Sequence, residues 1–339
     1  MSTTKQVTAT AFSAWPGNDP VEALKIVRGE LGTPHTPFLP QLPDRGVGSD
    51  AIGRTASLLV ELPVDVQPHG WRLVDRPGKD IRRAHSALST DINILADIAG
   101  AEQQPSDELK IELVGPLTLS SALYVHRGER AVSDHGARRE IAESLAAGVG
   151  QHLTRIQSAV PGTRLVVQVD EHLAASALAG TLPTASGYRT LRSIPGAEAT
   201  ATWTLLVDAL RDAGAHEIVF SLAAKDAPLQ RILHSGADGF ALDVAGISRE
   251  QWDITAGAVE SGKRLWAGLE LASSQSGSAS KAADQIIVPW RELGLPLNTL
   301  GAVRVMPAQP LDRGTPQQGK TVLGRLSAAA DAINQRMLG

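Results

Sequence analysis

Short apolar runs alternate with longer segments of helical periodicity along almost the whole chain, and this alternation limits the fold more than any other feature. Several runs, such as Leu165-Val166-Val167, are continuously apolar, which is typical of strands buried on both faces of a parallel sheet. We predict eight strands, at Val7–Phe12, near Val64–Leu73, and at Leu109–Val114, Leu165–Val169, Ile218–Leu222, Gly239–Leu242, Leu265–Leu269 and Ala302–Met306.

Helix signals lie between the strands. Residues 21–31 carry apolar side chains at helical spacing behind Asp19-Pro20, a capping residue followed by proline at the first helical position. A second apolar stripe spans 141–156, and Ser248-Arg249-Glu250-Gln251 has capping-box form. We interpret these stripes as faces packed on the core, whereas the Ser-rich stretch 273–280 is typical of a flexible loop.

Eight strands alternating with helices predict an α/β fold of (β/α)8 TIM-barrel type. The length of 339 residues suits one barrel domain over residues 1–339, with an extended N-terminal part and loop insertions. An open doubly wound sheet is the competing architecture, but no G-x-G-x-x-G follows the first strand.

Composition excludes several function classes. The formal net charge of −4 argues against a nucleic-acid partner or an anionic membrane surface. No apolar run approaches the roughly 20 residues of a membrane helix, and the polar N-terminus lacks the apolar segment of a signal peptide. We therefore expect a cytoplasmic location. Because the chain has 0 cysteines, disulfides, a thiolate nucleophile, iron–sulfur ligation and cysteine-bound zinc are excluded.

Barrel enzymes place their chemistry at the carboxyl ends of the strands. Asp170-Glu171-His172 follows a predicted strand, and we predict that these residues are catalytic: they can bind an amine, act as a general base or hold a metal. The alternative is that Asp170 caps a helix and the other two are solvated first-turn residues.

Four further residues are predicted to bind substrate. Arg45 and Arg54 can clamp a carboxylate, and Trp15 and Trp71 can stack on a planar ligand. The alternatives are a surface turn and helix face for the arginines and core packing for the tryptophans. No metal site is predicted from spacing, since H-E-x-x-H is missing and the 9 histidines are scattered.

Six motifs together resemble a known family, and the match is clearest over residues 7–192. The family is cobalamin-independent methionine synthase, here similar to its actinobacterial stand-alone relatives, in a superfamily with uroporphyrinogen decarboxylase and corrinoid methyltransferases. The motifs are Trp15-Pro16-Gly17, Pro40-Gln41-Leu42-Pro43-Asp44-Arg45-Gly46, Ile52-Gly53-Arg54, Gly70-Trp71-Arg72, Gly115-Pro116-Leu117-Thr118 and Val167-Gln168-Val169-Asp170-Glu171.

The resemblance implies a barrel like the catalytic half of that enzyme. It implies methyl transfer from methyltetrahydrofolate or a methyl-corrinoid such as methylcobalamin to the thiol of homocysteine. Asp170 and Glu171 match an acidic pair that contributes to binding the amino acid, while His172 stands where the family has proline. The loop around Ser13 matches the loop that binds the homocysteine backbone.

The family's zinc site is where this chain departs from the pattern. Its ligands are a His and a Cys after the fifth strand, a Glu after the sixth and a Cys after the eighth. The corresponding residues 221–223, 242–244 and 307–309 contain no thiolate, and only Asp243 can ligate. A free thiol has a pKa near 8.5, so without zinc another group has to take its proton, and His172 or Lys225 are the candidates.

Three hypotheses follow. The chain is an active methyltransferase with an altered or absent metal, or a non-catalytic paralogue that binds a small ligand. The third is a metal-independent decarboxylase of the uroporphyrinogen type, in which Arg45 and Arg54 serve substrate carboxylates.

Overall fold

Seven parallel strands form a curled sheet that most of the helices flank. The structure is a computed structural model and describes residues 6–126, 128–222, 227–271 and 278–338. The strand order is β1-β9-β8-β7-β6-β5-β4, and a separate antiparallel pair is formed by β2 and β3. The strands are β1 (Thr8–Ala9), β2 (Val64–Gln67), β3 (Gly70–Leu73), β4 (Glu108–Val114), β5 (Arg164–Asp170), β6 (Glu217–Ser221), β7 (Gly239–Asp243), β8 (Arg264–Leu269) and β9 (Val303–Pro307).

The helices bury their apolar stripes as predicted. Asp19 caps the first helix by accepting from the backbone N–H groups of Val21 and Glu22, and Ser248 and Gln251 form the predicted capping box. The predicted stripe over 141–156 is buried along the fifth helix. The helices are α1 (Pro20–Glu30), α2 (Ala51–Ala56), α3 (Lys79–Gly100), α4 (Pro116–Ala122), α5 (His135–Ala159), α6 (Ala174–Ala179), α7 (Gly196–Asp212), α8 (Leu229–His234), α9 (Arg249–Glu260), α10 (Ser278–Glu292) and α11 (Pro316–Leu338). Of the predicted Ser-rich loop, residues 278–280 begin α10 and the rest lies outside the described residues.

The prediction of one main-sheet strand near Val64–Leu73 is wrong. This segment folds back on itself as the β2–β3 hairpin, and the two strands form a separate sheet that is not part of the main one. Pro68 lacks a backbone donor, and Gly70 adopts a positive φ of 124°, so the chain turns between the two halves. The main sheet therefore has seven strands, where eight were predicted.

An extended segment over residues 36–41 lies between the two edges of the main sheet. Pro37 and Pro40 cannot donate hydrogen bonds, so the segment does not form a regular ladder. It nevertheless joins the β1 side of the sheet to β4. The bonds are Thr36 N to Ala9 O (2.9 Å), Gln41 N to Ser13 O (2.7 Å), Leu39 N to Lys110 O (2.9 Å) and Lys110 N to Pro37 O (2.8 Å).

The inner face of the curled sheet is partly apolar and partly charged. A small buried cluster comes from five strands: Val166, Val219, Ala241, Trp266 and Met306, with half-buried Phe12 packed on it. At the amino ends of the strands, Arg304 bonds Glu108 at 2.7 Å, and Trp266 donates to Glu217 at 2.9 Å. None of the described helices has the length and apolar character needed to cross a membrane.

Candidate functional site

A buried lysine in β4 organises the polar groups on the inner face of β4 and β5, below the carboxyl ends of these strands. Lys110 is fully enclosed, and its ammonium donates to Ser13 Oγ at 3.2 Å, Glu112 Oε2 at 2.9 Å and Gln168 Oε1 at 2.7 Å. The backbone N–H of Ser13 donates to the same Glu112 oxygen at 2.7 Å. Burial lowers the pKa of Lys110, and the Glu112 carboxylate opposes this shift. Ser13, whose loop the resemblance assigns to substrate binding, thus lies in a hydrogen-bonded cluster beneath the strand ends.

Lys110, Glu112 and Gln168 were missed by sequence reasoning. The sequence does carry a signal for them, because Glu108, Lys110 and Glu112 alternate with apolar residues along one strand. A two-residue period places all three on one face of the strand. Polar residues at that period, on a strand otherwise buried on both faces, indicate that the inner face carries charged groups that can bind a ligand.

Asp170 and His172 form a pair at the end of β5. His172 Nδ1 lies 2.8 Å from Asp170 Oδ2, and the imidazole is half exposed. The hydrogen bond to Asp170 raises the pKa of His172 above 6.5 against the effect of burial, and the charges of Asp170, Glu171 and Glu112 raise it further. Because Nδ1 faces the carboxylate, Nε2 is the ring atom left for acid–base work. This arrangement can accept a proton from a bound substrate.

Glu171 points to the other side of the strand and is 1% exposed. Its carboxylate accepts from the backbone N–H groups of Leu117 (3.0 Å) and Thr118 (2.8 Å) in the first turn of α4, and from Trp203 Nε1 (2.8 Å). A Cβ at Gly115 would lie 2.4 Å from this carboxylate, so the close approach requires glycine. The predicted catalytic triplet is therefore divided between two faces of β5.

The Glu171 carboxyl links stability to pH. Burial raises the pKa of Glu171 from 4.5 to about 7, although the N–H donors oppose this shift. A raised pKa means that stability is fully present below pH 4.5 and is lost as the pH rises through 7. We expect the wild type to lose about 3 kcal/mol of unfolding free energy relative to Glu171→Gln between pH 4.5 and 8, as measured by urea unfolding. Parallel pH profiles for the two proteins would contradict this assignment.

Arg45 and Arg54 converge on one buried carboxylate outside the main sheet. Arg45 Nη1 lies 2.5 Å from Asp91 Oδ1, and Arg54 Nη1 lies 2.5 Å from Asp91 Oδ2. The side chains of Asp91 and Arg54 are 2% and 6% exposed. Among the described residues, no hydrogen bond or ion pair joins either arginine to Asp170 or His172. The structure brings the two arginines together, but away from that pair.

Trp15 and Trp71 are both buried in the main core. Trp15 is tilted against Phe38 with ring centroids 6.2 Å apart. Trp71 lies so close to Gly53 that a Cβ there would come within 2.6 Å of the indole. Both indoles are thus packed against residues of the protein interior.

A cavity of about 20 Å³ lies between β4 and the helices α2, α3 and α5. Its lining includes Gln41, Arg54, Glu112 and His152. His152 is buried, and its Nδ1 has no hydrogen-bond partner in the described part of the chain. Burial, together with the charges of Arg54 and Arg155, lowers the pKa of His152 to about 3. The imidazole is therefore neutral in the folded protein.

His152 links stability to acid. Because its folded pKa lies below the unfolded value of 6.5, its contribution is complete above pH 6.5 and is lost as the pH falls toward 3. We expect about 3 kcal/mol of the stability lost between pH 7 and pH 4 to be retained in His152→Gln. The test is the free energy of unfolding between pH 7 and 4 in both proteins. An equally steep loss in the variant would show that His152 does not control it.

The described residues do not supply the donor set of the zinc site that the resemblance implies. Among the described residues no group of three or more His, Cys, Asp or Glu side chains can hold a metal ion. Asp243 is half-buried at the end of β7 and accepts from the Ala245 N–H of its own turn at 3.0 Å. Lys225 lies outside the described residues. The residues do not fit a thiolate zinc site, and no chemical step is assigned to one.

Comparison with known proteins identifies structural similarity only. No family model and no curated protein matches this chain. Its structure is similar to a B12-independent methionine synthase from Shewanella sp. W3-18-1 (14% identity, TM-score 0.50), covering 73% of this chain and 67% of that one. It is also similar to a methyltransferase from Methanosarcina mazei (12% identity, TM-score 0.54), covering 98% and 94%. At these identities the similarity shows a shared α/β barrel-like fold and no more.

Proposed function

We propose that this chain transfers a methyl group from methyltetrahydrofolate or a methyl-corrinoid to the thiol of a homocysteine-like amino acid. The main support is the Asp170–His172 pair at the carboxyl end of β5, where His172 Nδ1 lies 2.8 Å from the Asp170 carboxylate. The fold shared with a methionine synthase and a methyltransferase supports methyl transfer as the reaction class. In this proposal the segment 36–41 occupies the second strand position of a (β/α)8 barrel, and the enzyme works in the cytoplasm.

The proposed chemistry starts from the acidity of the acceptor thiol, which is mostly protonated at neutral pH. His172 Nε2 takes the thiol proton, and Asp170 stabilises the imidazolium that forms. The sulfur then attacks the methyl carbon, so that a C–S bond forms as the bond from carbon to the donor breaks. With a methylated amine as donor, the bonding electron pair stays on nitrogen, which receives the proton from His172. With a methyl-corrinoid as donor, the pair would stay on cobalt and His172 would release its proton to solvent. The histidine thus does the work that zinc does in the family.

The surrounding charges favour a zwitterionic acceptor. Asp170 and Glu112 supply negative charge for an ammonium group, and Lys110 holds the Glu112 carboxylate in place. Glu171 supports the site from behind by fixing α4 against β5. These roles assign amino-acid binding to the inner face of β4 and β5.

The alternatives differ in what supports them. The decarboxylase hypothesis needs Arg45 and Arg54 for substrate carboxylates, and both are paired with Asp91. The non-catalytic paralogue is favoured by the missing thiolates, since a chain that only binds ligand needs no activated thiol. Turnover separates it from the methyltransferase.

The test is a methionine assay. Purified protein is incubated with homocysteine and either methyltetrahydrofolate or methylcobalamin, with added zinc or with a chelator, and methionine is measured by mass spectrometry. We expect methionine that persists in the chelator. No methionine in any combination, together with calorimetric binding of homocysteine, would identify the paralogue.

A further inference from the structure

Gln168 has a side-chain orientation that its neighbour determines. It lies on β5 two residues before Asp170 and is fully buried. Its Oε1 accepts from Lys110 Nζ at 2.7 Å. An ammonium group can only donate, so the amide has to present its oxygen to Lys110 and turn its NH2 away. No residue of the described chain accepts a hydrogen bond from that Nε2.

An unpaired buried donor is costly, at about 1–3 kcal/mol, and native proteins keep few of them. The apolar cluster on the same inner face, represented by Val166, Val219 and Met306, offers no side-chain acceptor oxygen. Half-buried Phe12 packs on that cluster and is its most accessible member. The amide therefore keeps a free donor next to the layer that carries the Asp170–His172 pair.

The ammonium also makes this donor stronger. Positive charge on the oxygen side of an amide polarises it and strengthens the hydrogen bonds that its N–H groups donate. Lys110 is itself balanced by Glu112 at 2.9 Å, so it is not available as an ion-pair partner for ligand. Among the inner-face groups of β4 and β5, the Gln168 NH2 is suited to bind an oxygen atom of ligand.

We propose that Gln168 is a specificity-determining residue whose NH2 binds an acceptor oxygen of the substrate, either a carboxylate or a neutral carbonyl. Naming the substrate as an amino-acid thiol rests on the proposed function.

The experiment measures binding by calorimetry, so that it does not depend on turnover. The ligands are homocysteine, its primary amide and 3-aminopropane-1-thiol, which lacks the carboxyl carbon. Gln168→Glu keeps an oxygen toward Lys110 but replaces the NH2 with a second oxygen. We expect it to weaken homocysteine binding about 10- to 100-fold and to change 3-aminopropane-1-thiol binding by less than about threefold. If the primary amide binds wild type as tightly as homocysteine, the acceptor is a carbonyl oxygen; if it binds at least tenfold more weakly, it is a carboxylate.

Gln41→Glu is the matched control. Gln41 Nε2 already donates to the Glu112 carbonyl at 2.8 Å, so it holds no free donor for ligand. Because its added charge acts differently on ligands of different net charge, we expect Gln41→Glu to weaken homocysteine relative to the two cationic ligands by less than about threefold. Gln168→Met removes the donor without adding charge and replaces Gln168→Glu if circular dichroism shows that the glutamate variant is unfolded.

The assignment is overturned if a folded Gln168 variant weakens all three ligands equally or leaves homocysteine binding unchanged. It is also overturned if the wild type binds homocysteine no better than 3-aminopropane-1-thiol. A failed methionine assay with carboxyl-dependent binding intact would refute the proposed function and leave the role of Gln168 standing.

Discussion

Replacing His172 by glutamine is expected to lower kcat for methyl transfer by about 10²- to 10⁴-fold, which is the usual contribution of a positioned acid or base. Glutamine has a similar size and can still contact Asp170, but it cannot take a proton from the thiol. The KM for the amino acid should change little, because His172 acts on the thiol proton rather than on the ammonium or carboxyl groups. Steady-state kinetics with saturating methyl donor measure both parameters.

The pH profile gives a second readout of the same pair. The neutral imidazole is the active base, so kcat/KM should rise with pH through the raised pKa of His172, above 6.5. Asp170→Asn removes the carboxylate that raises this pKa, so the midpoint should move to lower pH while the rate falls. We also expect this variant to fold normally and to bind the amino acid more weakly.

His135→Gln is the control for His172. His135 is also a solvent-exposed histidine next to a carboxylate, with Nδ1 3.2 Å from Glu198 Oε1, but it lies at the start of α5. Its replacement should leave kcat unchanged. Equal activity of the His172 and His135 variants would remove His172 from the mechanism.

Arg54→Ala is expected to reduce the free energy of unfolding by about 3–5 kcal/mol, because it leaves the Asp91 carboxylate buried with one of its two partners missing. It also opens space beside the cavity that contains His152. Urea unfolding monitored by tryptophan fluorescence measures the loss. Arg54 thus serves internal ion pairing in this structure, whereas the sequence analysis weighed a carboxylate clamp for substrate against a solvated helix face.

Arg45→Ala is the matched variant, since Arg45 shares the same carboxylate but is more accessible, with 18% of its side chain exposed against 6% for Arg54. We expect a smaller loss of unfolding free energy, because water can replace part of the hydrogen bonding and charge stabilisation that the Arg45 guanidinium gives to Asp91. If Arg54→Ala leaves the melting temperature unchanged and abolishes amino-acid binding, Arg54 binds substrate instead.

Seven of the eight predicted strands match main-sheet strands, although β1 is shorter than predicted. Periodicity sufficed because a strand buried on both faces has to be apolar whatever its neighbours are. It failed at Val64–Leu73 and at residues 36–41. The hairpin at Val64–Leu73 has the same local apolar pattern as a barrel strand. Residues 36–41 were not predicted as extended because their prolines interrupt the strand pattern, although the segment joins the two edges of the sheet.

The sequence by itself determined the alternation of strands and helices, the helix caps and the absence of any thiolate, since each depends on residue type or on near neighbours. Only the tertiary structure decided which side chain of Asp170-Glu171-His172 faces which partner. Just beyond β5 the Glu171 carboxylate bonds the first turn of α4, whereas His172 bonds Asp170. Likewise Arg54 and Asp91 are 37 residues apart, and Lys110 and Gln168 are 58 apart. Such pairs exist only when the sheet curls and the helices pack, because local sequence carries no information about the distance between them.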